Sequence, residues 1–543
     1  MAVNGSFSCI LQPNTCRPRT CSVRNYGNEP CFILRRHKGR PVLVQASATT
    51  DSVAAAKPPE KMRGALPVVG NFHQFKFSKL YKDIDDFHKQ HDSQALEVSM
   101  FRRRSCHTRD PNDCAQIFRD AEVFPKSPDI NVVSDWLGEG LATQSNIQKH
   151  AEMRRLLNPA FRQDYIKGLS PAFAEVGDRL ADALLELGEH DIQDMAARAT
   201  IDIIGRTGFR YDFGCLDLAM GRRRSGATVE AAGERLDVAK LFDQLVFGVS
   251  RIFAFSYFFP RREWIPGFSE YRAAIRKLDA VINSVLEERR RVGVDPEDRD
   301  LISYCLRAME EDSGIMNDKQ IRNELHTLLF AGSDTTANTL SWTFHLLSHR
   351  PEMMARCLQE ADALRDHDGE LSPALLNERL PYLTACVKET LRMYPPAPML
   401  SRVCTKDTVL EGTRTLVSKG SMVTLDIWSV HRNPKHWVRP DEYRPERWLA
   451  EGEAEFGPIL QEAFIPFGGG SRICIGMYFA IMEAQVIAAQ VLQKVKFEPV
   501  PGFEPDAVMR MTLSSKNGIR LRALPRSSGD GRPSGQQTAA TSV

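Results

Sequence analysis

The stretch Phe467-Gly-Gly-Gly-Ser-Arg-Ile-Cys-Ile-Gly476 decides the fold. Glycines at 468, 469 and 470 let the backbone fold tightly beside a flat ligand, where a Cβ would stand in the way. Cys474 ends the loop just before a stretch of apolar helical periodicity, Met477–Gln493. A helix N-terminus supplies amide N–H groups and a positive dipole end, and both stabilise a thiolate. A thiolate is the form in which cysteine ligates haem iron. A lone cysteine is otherwise a buried structural thiol. The spacing FxxGxRxCxG, met here at every defined position, favours the ligand.

Working outward, Ala331-Gly-Ser-Asp-Thr-Thr336 lies inside the long, mostly apolar helical pattern Asp318–His349, a helix expected to be buried nearly all round. A Gly there loosens packing, and a Thr hydroxyl can bond a carbonyl one turn back and bend the helix. That opens a groove where dioxygen could sit over a flat cofactor. In Glu389-Thr-Leu-Arg392 the acid and base are three apart on one helix face. Further helices are expected at Leu169–Leu187, Tyr271–Arg291 and Pro351–Arg365, and strands at Thr405–Leu410, Met422–Ile427 and Lys496–Glu498. Helix dominates and the strands cluster late.

The 543 residues are 42% hydrophobic and 26% charged, an ordinary globular composition that excludes wholesale disorder and low-complexity folds. Lys+Arg is 71 against Asp+Glu 69, so no global field invites nucleic acid. Twelve cysteines at this length are too sparse for a disulfide scaffold. No apolar run is long enough to span a membrane. Residues 1–46 hold one acid, Glu29, and seven basic residues, a composition of organelle import leaders. Val42–Ala48 resembles a plastid processing site, so a plastid is expected ahead of a mitochondrion. A linker is expected over 47–64, the main domain over 65–523 and a disordered tail over 524–543. Gly221–Gly233 reads as a solvated loop. Leu245–Phe259 carries six aromatic residues and one charge, Arg251, and reads as core or as a loop dipping into a membrane interface.

On the Cys loop and these motifs the chain resembles the cytochrome P450 superfamily of haem-thiolate monooxygenases, over about residues 65–523. The resemblance implies one large, mainly α domain with a small β region, enclosing haem b with its iron ligated by the Cys474 thiolate and Phe467 beside it. It implies that Asp334 and Thr335 relay protons to bound oxygen. It implies that Glu389 and Arg392 are buried with Arg447, from Pro445-Glu-Arg-Trp448, as structural support of the Cys loop. Asn146–Phe161 resembles the helix whose WxxxR pattern contacts a haem propionate; Arg154 matches the Arg, and His150 stands where the Trp is expected. Imidazole can still donate to a carboxylate. Arg402 and Arg472 match the other propionate-binding arginines.

The walls expected from the resemblance, Asn131–Leu141, Leu325–Phe330 and Ala397–Leu400, are mostly apolar, so the substrate should be lipophilic. No flavin domain and no cluster-binding cysteine set reads in the chain. Electrons are therefore expected from a separate donor, of ferredoxin type with its reductase in a plastid. Thr200–Gly205 with Tyr211–Phe213, Trp342–Leu347 and Trp428–Asn433 look like the plastid carotenoid-ring hydroxylases. Fatty-acid hydroxylases share much of this, including Leu391–Pro396, and hydroxylation of a fatty acid or another lipophile forms the alternative. Enzymes rearranging fatty-acid hydroperoxides lack the relay Thr that this chain keeps.

Overall fold

The computed structural model describes residues 56–527, apart from 102, 223–229, 232–233, 257, 260, 312–313 and 366–368, together with the backbone of Arg36–His37 and Arg40–Pro41. The chain divides into two compact units, Met1–Ala56 and Lys57–Val543, and the fold below belongs to the second. The expected leader over 1–46, the linker up to residue 55, most of the expected loop at 221–233 and the tail beyond 527 lie outside the described residues.

The main helices are α1 (Ile147–Leu157), α2 (Ser170–Leu187), α3 (Ile192–Ile204), α4 (Val238–Phe255), α5 (Phe268–Val292), α6 (Asp318–Ser348), α7 (Pro351–Ala363), α8 (Pro381–Met393) and α9 (Met477–Lys494). The central helix α6 starts where the Asn317 side chain accepts from Gln320 N–H, filling one of the open donors of its first turn. It is buried along most of its length, as its sequence pattern requires. Four of its buried hydroxyls are satisfied by carbonyls one turn back: Ser333 to Leu329, Thr339 to Thr335, Ser341 to Ala337 and Thr343 to Thr339, at 2.6–2.9 Å. Helix α6 packs along α3, and α9 along α2. One continuous apolar core runs through these helices.

A five-stranded mixed sheet forms beside the helices from β1 (Glu60–Lys61), β2 (Ala95–Met100), β3 (Arg103–Thr108), β4 (Leu400–Val403) and β5 (Met422–Leu425), in the order β1-β2-β3-β5-β4. A hairpin of β6 (Ala507–Met509) and β7 (Leu513–Ser515) lies near the C-terminus. The architecture is therefore mainly α with small β regions, as expected.

Three expectations are corrected. Strands do not only cluster late: β2 and β3 precede all the helices named above. Arg103–Thr108 escapes a hydrophobic-period reading because its inner face is polar. His107 Nδ1 bonds Asp426 Oδ1 at 3.0 Å and its Nε2 bonds Ser105 Oγ at 2.9 Å, all buried. The fold also begins before residue 65, because Glu60–Lys61 pairs with Leu96–Glu97 and Lys57 N–H bonds Arg414 O. It runs past 524, since Arg526 pairs through two 2.7 Å bonds with Asp362. The segment Leu245–Phe259 is half core: α4 buries Leu245, Val246, Val249 and Ile252, while Phe247, Phe255 and Phe258 are exposed.

Candidate active site

The Cys loop is closed by Cys474 N–H donating to Phe467 O at 2.9 Å. Gly468 and Gly470 take φ of +72° and +65°, where a side chain is strained. A Cβ on Gly470 would lie 2.0 Å from the carbonyl oxygen of Phe118. On Gly469 it would lie 2.7 Å from the Phe118 ring. The close approach that these glycines permit is thus to the end of the Pro111–Arg119 helix, and the Phe118 ring in turn lines the cavity above.

That cavity has a volume of about 300 Å³. Leu328, Ala331, Gly332 and Thr335 of α6 form one wall, Ala397 and Leu400 another, and Phe467 and Cys474 face it from the loop. The expected wall residues Trp136 and Phe330 instead pack on each other, ring centroids 5.1 Å apart, with Phe242 of α4 beside them. Cys474 is exposed while the other described cysteines are buried. Its free surface opens into the cavity and not into bulk solvent: burial pushes the thiol up, while Gly476 N–H and Arg154 pull it down. Burial prevails, so the thiol stands above its ordinary value, and the N–H donor and the guanidinium favour the thiolate only together with a cationic centre bound in the cavity.

One corner of the cavity gathers cations. Lys126, Arg402 and Arg472 all line it. Their hydrogen-bond partners are backbone carbonyls: Lys126 to Ala142, Arg402 to Ser401 at 3.0 Å, and Arg472 to Gln144 at 2.6 Å and Ser145 at 3.3 Å. None of the three pairs with a carboxylate among the described residues. Burial, then Arg472 and Arg402, push Lys126 down to about 7. Burial and Arg472 push Arg402 down to about 10. His150 is buried beside them, and burial, Arg472, Lys126 and Arg154 push it down to about 3, so it stays neutral and can donate to an anion. Three cations crowded without counter-charge need one, and the two propionates of haem, above a cysteine at the cavity floor, meet that need. The residues present fit the group. Lys126 was not legible in the sequence; a lone Lys after Phe124-Pro125 carries no pattern. Arg154 sits differently from expectation: its Nη1 bonds Ile473 O at 2.5 Å, so it clamps the loop one residue before Cys474.

The acid–alcohol pair divides between two directions. Thr335 lines the cavity and its Oγ1 bonds Ala331 O at 2.9 Å. Asp334 points to the β6–β7 hairpin, where the Thr512 hydroxyl donates to its Oδ2. Burial raises the Asp334 pKa, and Thr512, Arg510 and Asn338 oppose that.

Below the cavity, Glu389 accepts from Arg392 Nε and Nη2 at 2.9 and 2.8 Å, Arg447 Nε at 3.0 Å, Trp448 Nε1 at 2.9 Å and Arg444 N–H at 3.0 Å. Glu389 and Arg392 are fully buried and Arg447 nearly so. Burial opposes the charge on Glu389, but Arg392 and Arg447 outweigh it and hold the carboxyl below its usual range. The cluster reaches the Cys loop through a residue the sequence reading missed. His431 Nδ1 donates to Arg392 O at 3.1 Å, and its Nε2 accepts from Ile465 N–H at 3.0 Å, two residues before Phe467. Burial and the neighbouring Arg392 push His431 down to about 3, which keeps Nε2 free to accept.

Comparison with known proteins agrees with this geometry. The sequence model of the family described as Cytochrome P450 matches residues 59–521. Cytochrome P450 4F12 of Homo sapiens is 31% identical over 414 residues, 73% of this chain and 75% of that protein. Cytochrome P450 4A7 of Oryctolagus cuniculus is 32% identical over 402 residues, 72% of this chain and 75% of its own. Leukotriene-B4 omega-hydroxylase 3 of Mus musculus is 30% identical over 423 residues, 74% and 76% of the two chains. Among solved structures, the cytochrome P450DA haem domain superposes with a TM-score of 0.74 at 24% identity, covering 88% of this chain and 99% of that one. The chain belongs to the cytochrome P450 family, and it is a haem-thiolate monooxygenase.

Proposed function

We propose that the chain hydroxylates the acyl chain of a fatty-acid-type lipid, with Cys474 as the thiolate ligand. The observation that carries the substrate class is the similarity to the mouse leukotriene-B4 omega-hydroxylase, since a leukotriene is an oxygenated fatty acid. The aliphatic wall of Leu328, Ala331, Ala397 and Leu400 suits an alkyl chain.

The carotenoid-ring reading has lost its footing. Apart from Ile204, which lines the cavity, the conspicuous residues of the stretches behind it pack in the core. Thr200 Oγ1 ties α3 to Ser333 O of α6 at 3.0 Å. Trp342 is buried and stacks on Tyr394 at 4.1 Å. Trp428 is buried against Tyr81 and under Arg432. Such residues report the fold and not the ligand.

Haem, when bound, supplies dioxygen activation through its thiolate-ligated iron. The chain's own residues do the rest. Lys126, Arg402 and Arg472, with His150, hold the propionates and set the cofactor's orientation. Arg154 and the Glu389 cluster, through His431, fix the loop that presents Cys474. Thr335 moves a proton into the cavity and Asp334 supplies it. Apolar walls keep bulk water from the reacting carbon. Electrons come from a separate protein. The basic, acid-poor residues 1–46 support organelle import, and a ferredoxin-type donor follows from that location alone. The exposed Leu66, Val68, Phe247, Phe258 and Trp264 support contact with a lipid surface, and no helix among the described residues is long and apolar enough to cross a membrane.

The test is turnover of the full chain with ferredoxin, its reductase and NADPH, offered dodecanoic acid and β-carotene separately under dioxygen. Hydroxydodecanoate that needs both NADPH and dioxygen supports the proposal. Hydroxylated carotene without an acyl product would return the ring reading, and consumption of a fatty-acid hydroperoxide without reductant would indicate the rearranging class.

A further inference from the structure

Asp334 is held by a partner that lies far from it in sequence. Thr512, in the turn between β6 and β7, is buried and donates its hydroxyl proton to Asp334 Oδ2. The direction of that proton is fixed by a third residue. Asn338 Nδ2, one turn along α6, donates to Thr512 Oγ1 at 3.3 Å and to Asp334 O at 2.8 Å. With its oxygen engaged by the amide, the hydroxyl has the carboxylate as its proton's target. Asp334 Oδ1 takes no hydrogen bond of standard geometry among the described residues, and the Asn338 amide bears on the carboxylate less than Thr512 does.

The hairpin that delivers Thr512 is tied down from several sides. Tyr81 Oη donates to Ala507 O at 3.0 Å, Leu513 N–H to Pro396 O at 2.9 Å, and Ser515 N–H to Gln193 Oε1 at 2.8 Å. Arg510 N–H closes the turn on Thr512 O at 3.0 Å. A hydroxyl on such a frame holds its acceptor in one rotamer.

We infer that Thr512 is a positioning residue for the proton-supplying acid: it clamps Oδ2, fixes the Asp334 rotamer and leaves Oδ1 as the oxygen that gains and loses the proton. The inference rests on the reading of Asp334 as that acid. The charged groups facing Asp334 are Arg510 on the hairpin, which favours its ionised form, and Asp243 on α4, which disfavours it. Thr512 adds a directed donor to the ionised form. Removing it leaves a desolvated carboxylate with one donor fewer, so its protonation midpoint must rise.

The test uses the haem-loaded full chain as wild type, Thr512→Val, Thr512→Ser and Asp334→Asn. Difference infrared titration reads the protonated carboxyl band that Asp334→Asn abolishes. A lost donor to a charged acceptor should raise its midpoint by about one pH unit in Thr512→Val, with Thr512→Ser returning it. Turnover with dodecanoic acid, ferredoxin, its reductase and NADPH reads product per NADPH against pH and the solvent deuterium effect. Thr512→Val should lower product per NADPH several-fold and move its pH profile upward, Thr512→Ser should restore both, and the double variant with Asp334→Asn should be no worse than Asp334→Asn alone. An unmoved infrared midpoint in a folded Thr512→Val protein overturns the positioning role. An Asp334→Asn protein that keeps full product per NADPH overturns the reading of Asp334, whatever Thr512 does to the infrared band.

Discussion

Glu389→Gln removes one charge and one of two acceptor oxygens from a side chain on which five donors converge. In the native protein five N–H donors converge on its two oxygens, four of them from the side chains of Arg392, Arg447 and Trp448. The amide keeps one acceptor oxygen and turns an NH₂ group toward donors. Two guanidiniums, with side chains 0% and 1% exposed, are then left buried without a counter-charge. Breaking a buried ion pair by removing one partner costs about 3–5 kcal/mol. Against a folding free energy of about 5–15 kcal/mol, that is about a fifth or more of the total. Urea unfolding followed by far-UV circular dichroism and by the haem band should show a lower midpoint and haem loss at lower denaturant than wild type. The pH dependence has a definite sign. The carboxyl is held below its usual range in the fold, so its contribution is present above the unfolded-state value of about 4.3 and fades as pH falls through the lowered folded value. The difference between wild type and variant should therefore persist to below about pH 4. Arg444→Ala is the control: Arg444 gives the cluster only its backbone N–H, and its side chain pairs with Glu442 at the surface. It should move stability by no more than about 1 kcal/mol. A Glu389→Gln protein that unfolds at the wild-type midpoint with its haem retained would refute the reasoning.

Gly470→Ala should prevent haem retention, because its Cβ would stand 2.0 Å from a backbone oxygen of Phe118 at a positive φ; absorption at the haem band against protein concentration checks it. Lys126→Met should speed haem transfer to apomyoglobin about tenfold, the loss of one charge-assisted bond to a propionate. Glu483 of α9 is fully buried, and among the described residues neither carboxyl oxygen has a hydrogen bond of standard geometry; burial pushes it well above the usual range, and the nearby Thr336 hydroxyl offsets that only in part. A raised folded pKa means stability is lost as pH rises above the unfolded value of about 4.3, so Glu483→Gln should gain in melting temperature over wild type as pH climbs toward neutral and gain nothing in acid.

The Cys loop, the acid–alcohol pair and the Glu389 cluster were legible because each needs particular residue types at fixed short spacings, and the chain has them. The long helices were legible because burial on one or all faces imposes an apolar period. Lys126, His431 and Thr512 were not. Each acts through a contact made across the fold, 178 residues away for Thr512 and Asp334, and a single Lys, His or Thr in a loop carries no local signature. Strand β3 stayed hidden because its buried face is polar, satisfied by Asp426 from a distant turn. The stretches that resemble carotenoid-ring hydroxylases carry little substrate information for a related reason: Thr200, Trp342 and Trp428 are conspicuous in sequence but pack the core.

The central claim is that Cys474, at the floor of the cation-cornered cavity, is the thiolate that binds haem iron. Its most direct measurement is the carbonyl spectrum of the dithionite-reduced full chain, wild type beside Cys474→Ser. Wild type should give the red-shifted Soret band of a thiolate-ligated carbonyl haem, and Cys474→Ser should lose that band while circular dichroism shows the fold intact. A folded Cys474→Ser protein that kept the thiolate-type band would contradict the account.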